Sequence, residues 1–147
     1  MTLSTELESA LADGTPDAVL RETIAHFQCA AGTIHILREG ALALAAHVNI
    51  PPPVVEIVRT VPIGKGIAGL AAERLEPVSL CNLQTDTSGQ ARPAAKTTGM
   101  EGSVAVPMLH GEILRGVIGI AKAQAHDWSD AEKAELLGIG ARLAARI

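Results

Sequence analysis

The chain has 147 residues, a mass of 15.2 kDa and a formal net charge of −4, and this length fits one domain. Hydrophobic residues make up 48% and charged residues 19%, which excludes a disordered chain. There is no cluster of cations, and Phe27 and Trp128 are the only Phe, Tyr or Trp residues, so we expect no nucleic-acid partner. No apolar run is long enough to span a membrane, and the first ten residues lack a cationic signal region. We therefore expect a soluble, cytoplasmic protein that does not bind membranes.

Two helices are predicted at the N-terminus. Apolar residues recur at helical spacing until Gly14, so residues 1–14 are predicted to form an N-terminal helical extension. The second helix has Thr15 as its cap and Pro16 in its first turn, where proline lacks only an N–H that has no helical partner.

Two strands follow, with the sequences GTIHIL and ALALAAHV, and the dipeptide Glu-Gly between them suits a tight hairpin turn. A regular register would place His35 opposite Leu44 and Thr33 opposite Ala46, with these side chains on one face of the sheet.

The segment after the hairpin is expected to be extended. Prolines at positions 51–53 predict a short polyproline connector, and VVEIVRTVPI predicts a strand that Pro62 places at a sheet edge or strand end. A glycine turn, GKGIAG, then leads to a short helix over residues 67–75 and to the strand PVSLC.

Residues 84–99 are polar, rich in small residues and long for a loop, so we predict that they form a lid or a binding loop. The stretches GSVAVPML and EILRGVIGIAKA then predict a second hairpin.

The C-terminal helix is predicted from the capping box of Ser129 and Glu132 and from the apolar stripe that follows. Gly140 and Ala144 are small enough to let a second helix approach, so homodimerisation through the terminal helices and simple packing on the sheet both stay open. The order of elements predicts an α+β fold, with a central, largely antiparallel sheet and the terminal helices on one face.

The sequence matches known cofactor, metal and catalytic motifs only in part. GKGIAG matches a dinucleotide fingerprint, but its helix is short and no second βαβ unit follows, so we interpret the glycines as a strand-to-helix turn. No residues stand at metal-ligand spacing and no G-x-S-x-G elbow is present, so we expect no metal, no cofactor and no catalytic nucleophile. Cys29 and Cys81 are expected to be buried thiols rather than a disulfide.

Two polar groupings have open interpretations. His35 lies between two isoleucines and fits either a donor in a pocket or a hydrogen-bonded core histidine. Arg92 and Lys96 in the lid, with Lys65 in the glycine turn, fit either an anion site or a solvated surface.

Four stretches carry a family resemblance in a fixed order: AGTIHIL, VPIGKGIAGLAAERLEPVSLCN, GSVAVPMLHGEILRGVIGIAKA and HDWSDAEKAELL. They contain the glycine turn, an S-x-x-x-P strand, a G-x-x-G strand and an aromatic residue followed by Ser-Asp at a helix start. From about residue 15 to residue 147 the chain thereby resembles a GAF domain, a small-molecule sensor module. The resemblance implies one domain over residues 1–147. It also implies a ligand pocket on the sheet face away from the terminal helices, under the lid of residues 84–99.

One enzymatic branch of that family, the free methionine-R-sulfoxide reductases, uses three cysteines and several acidic residues. When the glycine turns are matched, Val58 and Ala68 stand at two of the cysteine positions. Ser103, Gly119 and Ala121 stand at the acidic positions, and the lid contains no cysteine. Because the redox chemistry needs a reactive thiolate and a resolving thiol, reductase activity by that route is disfavoured. The cyclic-nucleotide and bilin signatures of the family are also incomplete.

We therefore predict a non-catalytic regulatory sensor that binds an unknown small metabolite or anion and acts through homodimer or partner contacts. A reductase-like enzyme and a pure dimerisation module are the alternatives. The predicted ligand-binding residues are Thr33, His35, Leu44, Val58, Thr60, Arg92, Ser103, Ala105, Gly119 and Ala121.

Overall fold

A computed structural model describes residues 2–147, which contain six helices and six strands. The helices are α1 (Thr5–Asp13), α2 (Pro16–His26), α3 (Pro52–Val58), α4 (Gly66–Arg74), α5 (Pro93–Lys96) and α6 (Asp130–Ala144). The strands are β1 (Ala31–Arg38), β2 (Ala41–Val48), β3 (Thr60–Pro62), β4 (Val78–Leu80), β5 (Ser103–His110) and β6 (Ile113–Ala121).

All six strands form one sheet in the order β3-β2-β1-β6-β5-β4, and every neighbouring pair is antiparallel. The predicted α+β fold with a central antiparallel sheet is confirmed. Pro62 lies in the edge strand β3, where its missing N–H leaves no gap in the ladder. None of the helices within residues 2–147 is long and apolar enough to cross a membrane.

The helices α1, α2 and α6 pack on one face of the sheet and build the main hydrophobic core. Each begins at a capping side chain, since Ser4 and Thr15 accept backbone N–H bonds at 3.1 Å and Ser129 forms the predicted capping box with Glu132. The helices are also joined directly, because Arg146 donates to carbonyl oxygens at the end of α1, including that of Leu11 at 3.1 Å. The N-terminal helix is thus an integral part of this core.

The β1–β2 register contains a bulge that the sequence pattern does not reveal. His35 pairs with Leu44 as predicted, but Thr33 pairs with His47 and not with Ala46. The shift arises because Ala45 is an extra residue in β2, between the partners of Ile34 and His35.

The prediction of an extended segment after β2 is wrong for residues 52–58. These residues form the helix α3, and only residues 60–62 of the following stretch are a strand. Proline is well tolerated in the first turn of a helix, where its N–H is not needed, and Pro52 and Pro53 occupy that turn. The β-branched valines and isoleucine that suggested a strand are accommodated in the helix because Val54 packs inward.

The small residues of α6 face the sheet. A Cβ on Gly140 would lie 3.2 Å from Cγ of Met108 in β5, and Ala144 is fully buried. Packing on the sheet therefore accounts for these small residues, and they give no support to a close approach by a second helix. Both cysteines are free, as expected, but Cys81 is exposed and Cys29 is half-buried, so the expectation of two buried thiols is wrong for Cys81 and met only in part for Cys29.

Gly116 tests the close approach of β6 to β1, because a Cβ there would overlap the backbone carbonyl oxygen of His35. We expect Gly116→Ala to lower the free energy of unfolding by about 2 kcal/mol or more, as overpacking against backbone does. Gly138→Ala is the control. Gly138 is exposed in α6 with open space around it, and alanine should raise stability by about 0.5–1 kcal/mol. Chemical denaturation measures the free energy of unfolding of both variants. Equal effects of the two substitutions would contradict the close approach of β6 to β1 at Gly116.

A lidded cavity on the open face of the sheet

The second face of the sheet bears a cavity of about 150 Å³. Its floor comes from three neighbouring strands, because Gly119 of β6 pairs with Thr33 of β1 on one side and with Ala105 of β5 on the other. Ser103 and Ala121 pair next to them and also line the cavity. These side chains are small, and the floor therefore leaves space between the sheet and the elements above it.

The walls and roof come from α3, the start of α4 and the lid. Val54 and Val58 of α3 are four residues apart and so share one helix face, which lines the cavity. Ile67 and Ala68 contribute from the first turn of α4. The lid, residues 84–99, contains the short helix α5 and supplies lining residues on both sides of it.

His35 is the buried titratable group of this site, with 2% of its surface exposed. Its Nε2 lies 2.8 Å from the carbonyl oxygen of Val58, which can only accept, so Nε2 carries the proton. Burial lowers the pKa of His35, although the hydrogen bond to Val58 acts in the opposite direction. The ring is therefore neutral at pH 7. Its Nδ1 has no hydrogen-bond partner within residues 2–147. His35 is thus a hydrogen-bonded core residue that also lines the cavity, where its free Nδ1 is an acceptor and not the donor that one interpretation expected.

Arg92 brings a cation to the roof. Its Cγ and Cδ pass over Gly66, where a Cβ would lie 3.1 and 3.2 Å from them. Gly66 has a positive φ of 68°, which favours glycine, and the missing side chain gives Arg92 its path. The Nη1 of Arg92 is buried and has no hydrogen-bond partner among residues 2–147. Of the other two cations considered, Lys65 also lines the cavity, whereas Lys96 bonds to the carbonyl of Asp86 within the lid.

Eight of the ten predicted site residues line the cavity: Thr33, His35, Val58, Arg92, Ser103, Ala105, Gly119 and Ala121. That they bind a ligand stays a prediction. Leu44 is misplaced, because it lines a separate surface depression beside Val55. Thr60 is exposed on the edge strand and lies outside the cavity lining.

Sequence reasoning missed part of α3 and of the lid. The unforeseen lining residues include Val54, Ile57, Ala91, Ala94, Ala95, Thr98 and Met100. The spacing of Val54, Ile57 and Val58 is i, i+3, i+4, and it would have indicated a helix face had the segment not been interpreted as a strand.

The glycine turn has a structural role. Gly64 and Gly66 both have positive φ, and a Cβ on Gly69 would lie 2.6 Å from the carbonyl oxygen of Pro62. The turn leads from an antiparallel edge strand, so the parallel βαβ unit of a dinucleotide site is absent from residues 2–147. In the same residues, no group of three His, Cys, Asp or Glu side chains could hold a metal ion.

His35 makes stability depend on pH. Because its folded pKa is lowered, the unfolded chain binds more protons between that pKa and about 6.5, so stability rises with pH in this window. We expect the wild-type free energy of unfolding to fall when the pH drops from about 7 to about 5. His35→Gln, which keeps an N–H donor, should lose less. Urea denaturation at both pH values checks this, and an identical pH dependence of the two proteins would contradict a neutral buried His35.

Known proteins share this fold. Among solved structures, the GAF domain from a phosphoenolpyruvate-protein phosphotransferase of Coxiella burnetii matches with a TM-score of 0.73 at 23% identity, covering 97% of this chain and 82% of that one. A free methionine-R-sulfoxide reductase of Neisseria meningitidis, in complex with its substrate, matches at 0.74 and 15% identity, with coverage of 95% and 83%. The A. aeolicus nlh2 GAF domain in an inactive state matches at 0.69 and 21% identity, with coverage of 95% and 90%.

Identities this low indicate a shared fold and nothing more specific. No curated protein sequence matches this chain. The sequence model of the GAF domain, however, matches residues 9–147, nearly the whole chain. The protein belongs to the GAF domain family.

Proposed function

We propose that this GAF domain is a non-catalytic regulatory module that binds a small molecule in the lidded cavity. The observation that carries the proposal is the pair of unpartnered polar atoms, Nδ1 of His35 and Nη1 of Arg92, on residues that line an otherwise mostly apolar space. Leaving buried polar atoms unpaired costs about 1–3 kcal/mol each, and a ligand with complementary groups would remove that penalty. A cavity of about 150 Å³ engineered in another protein binds benzene, which indicates the size of ligand to expect.

The reductase alternative lacks the necessary side chains. No Cys, Asp or Glu from residues 2–147 lines the cavity. Burial raises the pKa of the Cys29 thiol to about 11, so it is not a thiolate at neutral pH, and Cys81 is exposed outside the cavity. Val58 and Ala68, which align with family cysteines, do line the cavity but have no redox chemistry.

Regulation would follow from the position of the lid and the terminal helices. A ligand shifts a conformational equilibrium only through different affinities for the two states, and a ligand held by Arg92 would favour the closed lid. We propose that this change reaches a partner or a second copy of the chain through the outward faces of α1 and α6. Gly138 lies on the exposed face of α6.

A cavity-filling variant tests ligand binding. A Cβ on Gly119 would meet its neighbours at 3.6 Å or more, so Gly119→Leu can fold and extend its side chain into the cavity. We expect one or more metabolites in a thermal-shift screen to stabilise the wild type, by about 2.7 kcal/mol at a hundredfold excess over Kd, and to leave Gly119→Leu unchanged.

Gly138→Leu is the matched control, because it adds the same side chain to an exposed site with open space around it. It should respond to ligand as the wild type does. Native mass spectrometry of gently purified protein adds the oligomeric state and any retained ligand. Failure of every metabolite to stabilise the wild type, together with a mass free of ligand, would contradict the proposal.

The enzymatic alternative is tested directly. We expect no turnover of free methionine-R-sulfoxide with dithiothreitol as reductant, because no cysteine lines the cavity. The Cys29→Ser and Cys81→Ser variants serve as controls for any background rate. Turnover that either substitution abolishes would overturn the non-catalytic assignment.

A further inference from the structure

The charged side chains that line the cavity are of one sign. Lys65 and Arg92 are both cationic, and no carboxylate from residues 2–147 lines the space to neutralise them. Other cations of the region are already engaged, since Arg74 donates to Gln90 at 3.2 Å and Lys96 to the carbonyl of Asp86 at 3.1 Å. The Nη1 of Arg92 stands apart, being buried without an acceptor. A guanidinium in this position lacks an anion.

The start of α4 lies beneath the same side chain. Gly66, Ile67 and Ala68 line the cavity, and none of their backbone N–H groups donates to an acceptor within residues 2–147. Lys65 at the N-cap position provides no side-chain acceptor. Free N–H groups and the helix dipole make such a terminus favourable for negative charge. Because Arg92 crosses Gly66 at 3.1 Å from the place of a Cβ, the guanidinium and these N–H groups belong to one region of the roof.

His35 is an independent sign of a ligand. Only 2% of its surface is exposed, it lines the cavity, and its Nδ1 has no partner among residues 2–147. Because the proton is on Nε2, Nδ1 is an acceptor and calls for a donor on the ligand. The remaining lining residues are mainly aliphatic. They would make poor contact with a hydrated anion, whereas the apolar part of a ligand would pack against them. The cavity volume of about 150 Å³ limits that body to about the size of a benzene ring.

We propose that the ligand is a small monocarboxylate with an apolar body and a hydrogen-bond donor for Nδ1 of His35, and that its carboxylate is bound between Arg92 and the N-terminal turn of α4. This inference rests on the proposed function and specifies its ligand. A planar guanidinium matches a carboxylate in two parallel hydrogen bonds, whereas a phosphate dianion would bring more charge and no apolar group to fill the space. Since Arg92 belongs to the lid, the carboxylate would also connect the lid to α4.

Benzoate and benzamide form a test pair, because they share a ring and differ in charge. Calorimetric titration of the full chain should show benzoate binding about tenfold or more tightly than benzamide, and inorganic phosphate binding more weakly than benzoate. Arg92→Gln should remove the preference for benzoate over benzamide, because it removes the positive charge that distinguishes the two probes. Arg92→Lys, which keeps the charge without the planar guanidinium, should retain part of the preference for benzoate. Arg38→Gln is the matched control, because Arg38 is exposed on β1 and lies outside the cavity lining, and it should behave as the wild type.

Equal affinities for benzoate and benzamide, or a preference for benzoate that survives Arg92→Gln, would overturn the inference that Arg92 binds a carboxylate. Neither result would contradict small-molecule binding in the cavity. Phosphate binding as tightly as benzoate would overturn the inference that the ligand has an apolar part. If none of the three probes binds the wild type, the monocarboxylate inference fails. The metabolite screen with Gly119→Leu then decides separately on the proposed function.

Discussion

The sheet carries large side chains on its helix-covered face, whereas the centre of its other face carries small ones, and the rest of the structure depends on this asymmetry. In β6, Ile118 and Ile120 are buried in the helix-covered core, while Gly119 and Ala121 alternate with them towards the cavity. The helix-covered face is packed against α1, α2 and α6, which build the main core with it. The small side chains at the centre of the other face leave a space that α3, α4 and the lid cover without filling. Beside this space, a second core cluster that includes Leu42 and Val117 packs with α4.

The lid is held largely by its own polar contacts. Gln84 donates to the carbonyls of Lys96 and Met100 at 3.0 and 2.7 Å, and Asp86 accepts from Ser88 at 2.6 Å. None of the α5 side chains is fully buried, so little apolar surface fastens this segment to the domain. Its position over the cavity therefore depends on few interactions, and a ligand held by Arg92 would add a strong one.

Local chemistry made much of the fold predictable. Caps such as Ser129 and the alternation of the hairpin strands are encoded within a few residues, and the structure contains them. The prediction for residues 52–58 is wrong because β-branched residues favour strands, whereas the helix buries Val54 on the face that lines the cavity. The bulge at Ala45 depends on pairing across the hairpin, which one strand's pattern does not contain. The cavity floor was found through the spacing of family motifs, but the path of Arg92 over Gly66 is set by tertiary structure alone.

The contact of α6 with β5 has a mechanical consequence. Met108 of β5 lies against Gly140, and the same strand carries Ala105 on the floor of the cavity. Only the thickness of a single sheet therefore separates the cavity from α6. Arg146, just after α6, donates to backbone carbonyls of α1 and so links the two helices. A tilt of β5 would therefore be expected to move α6 and α1 together.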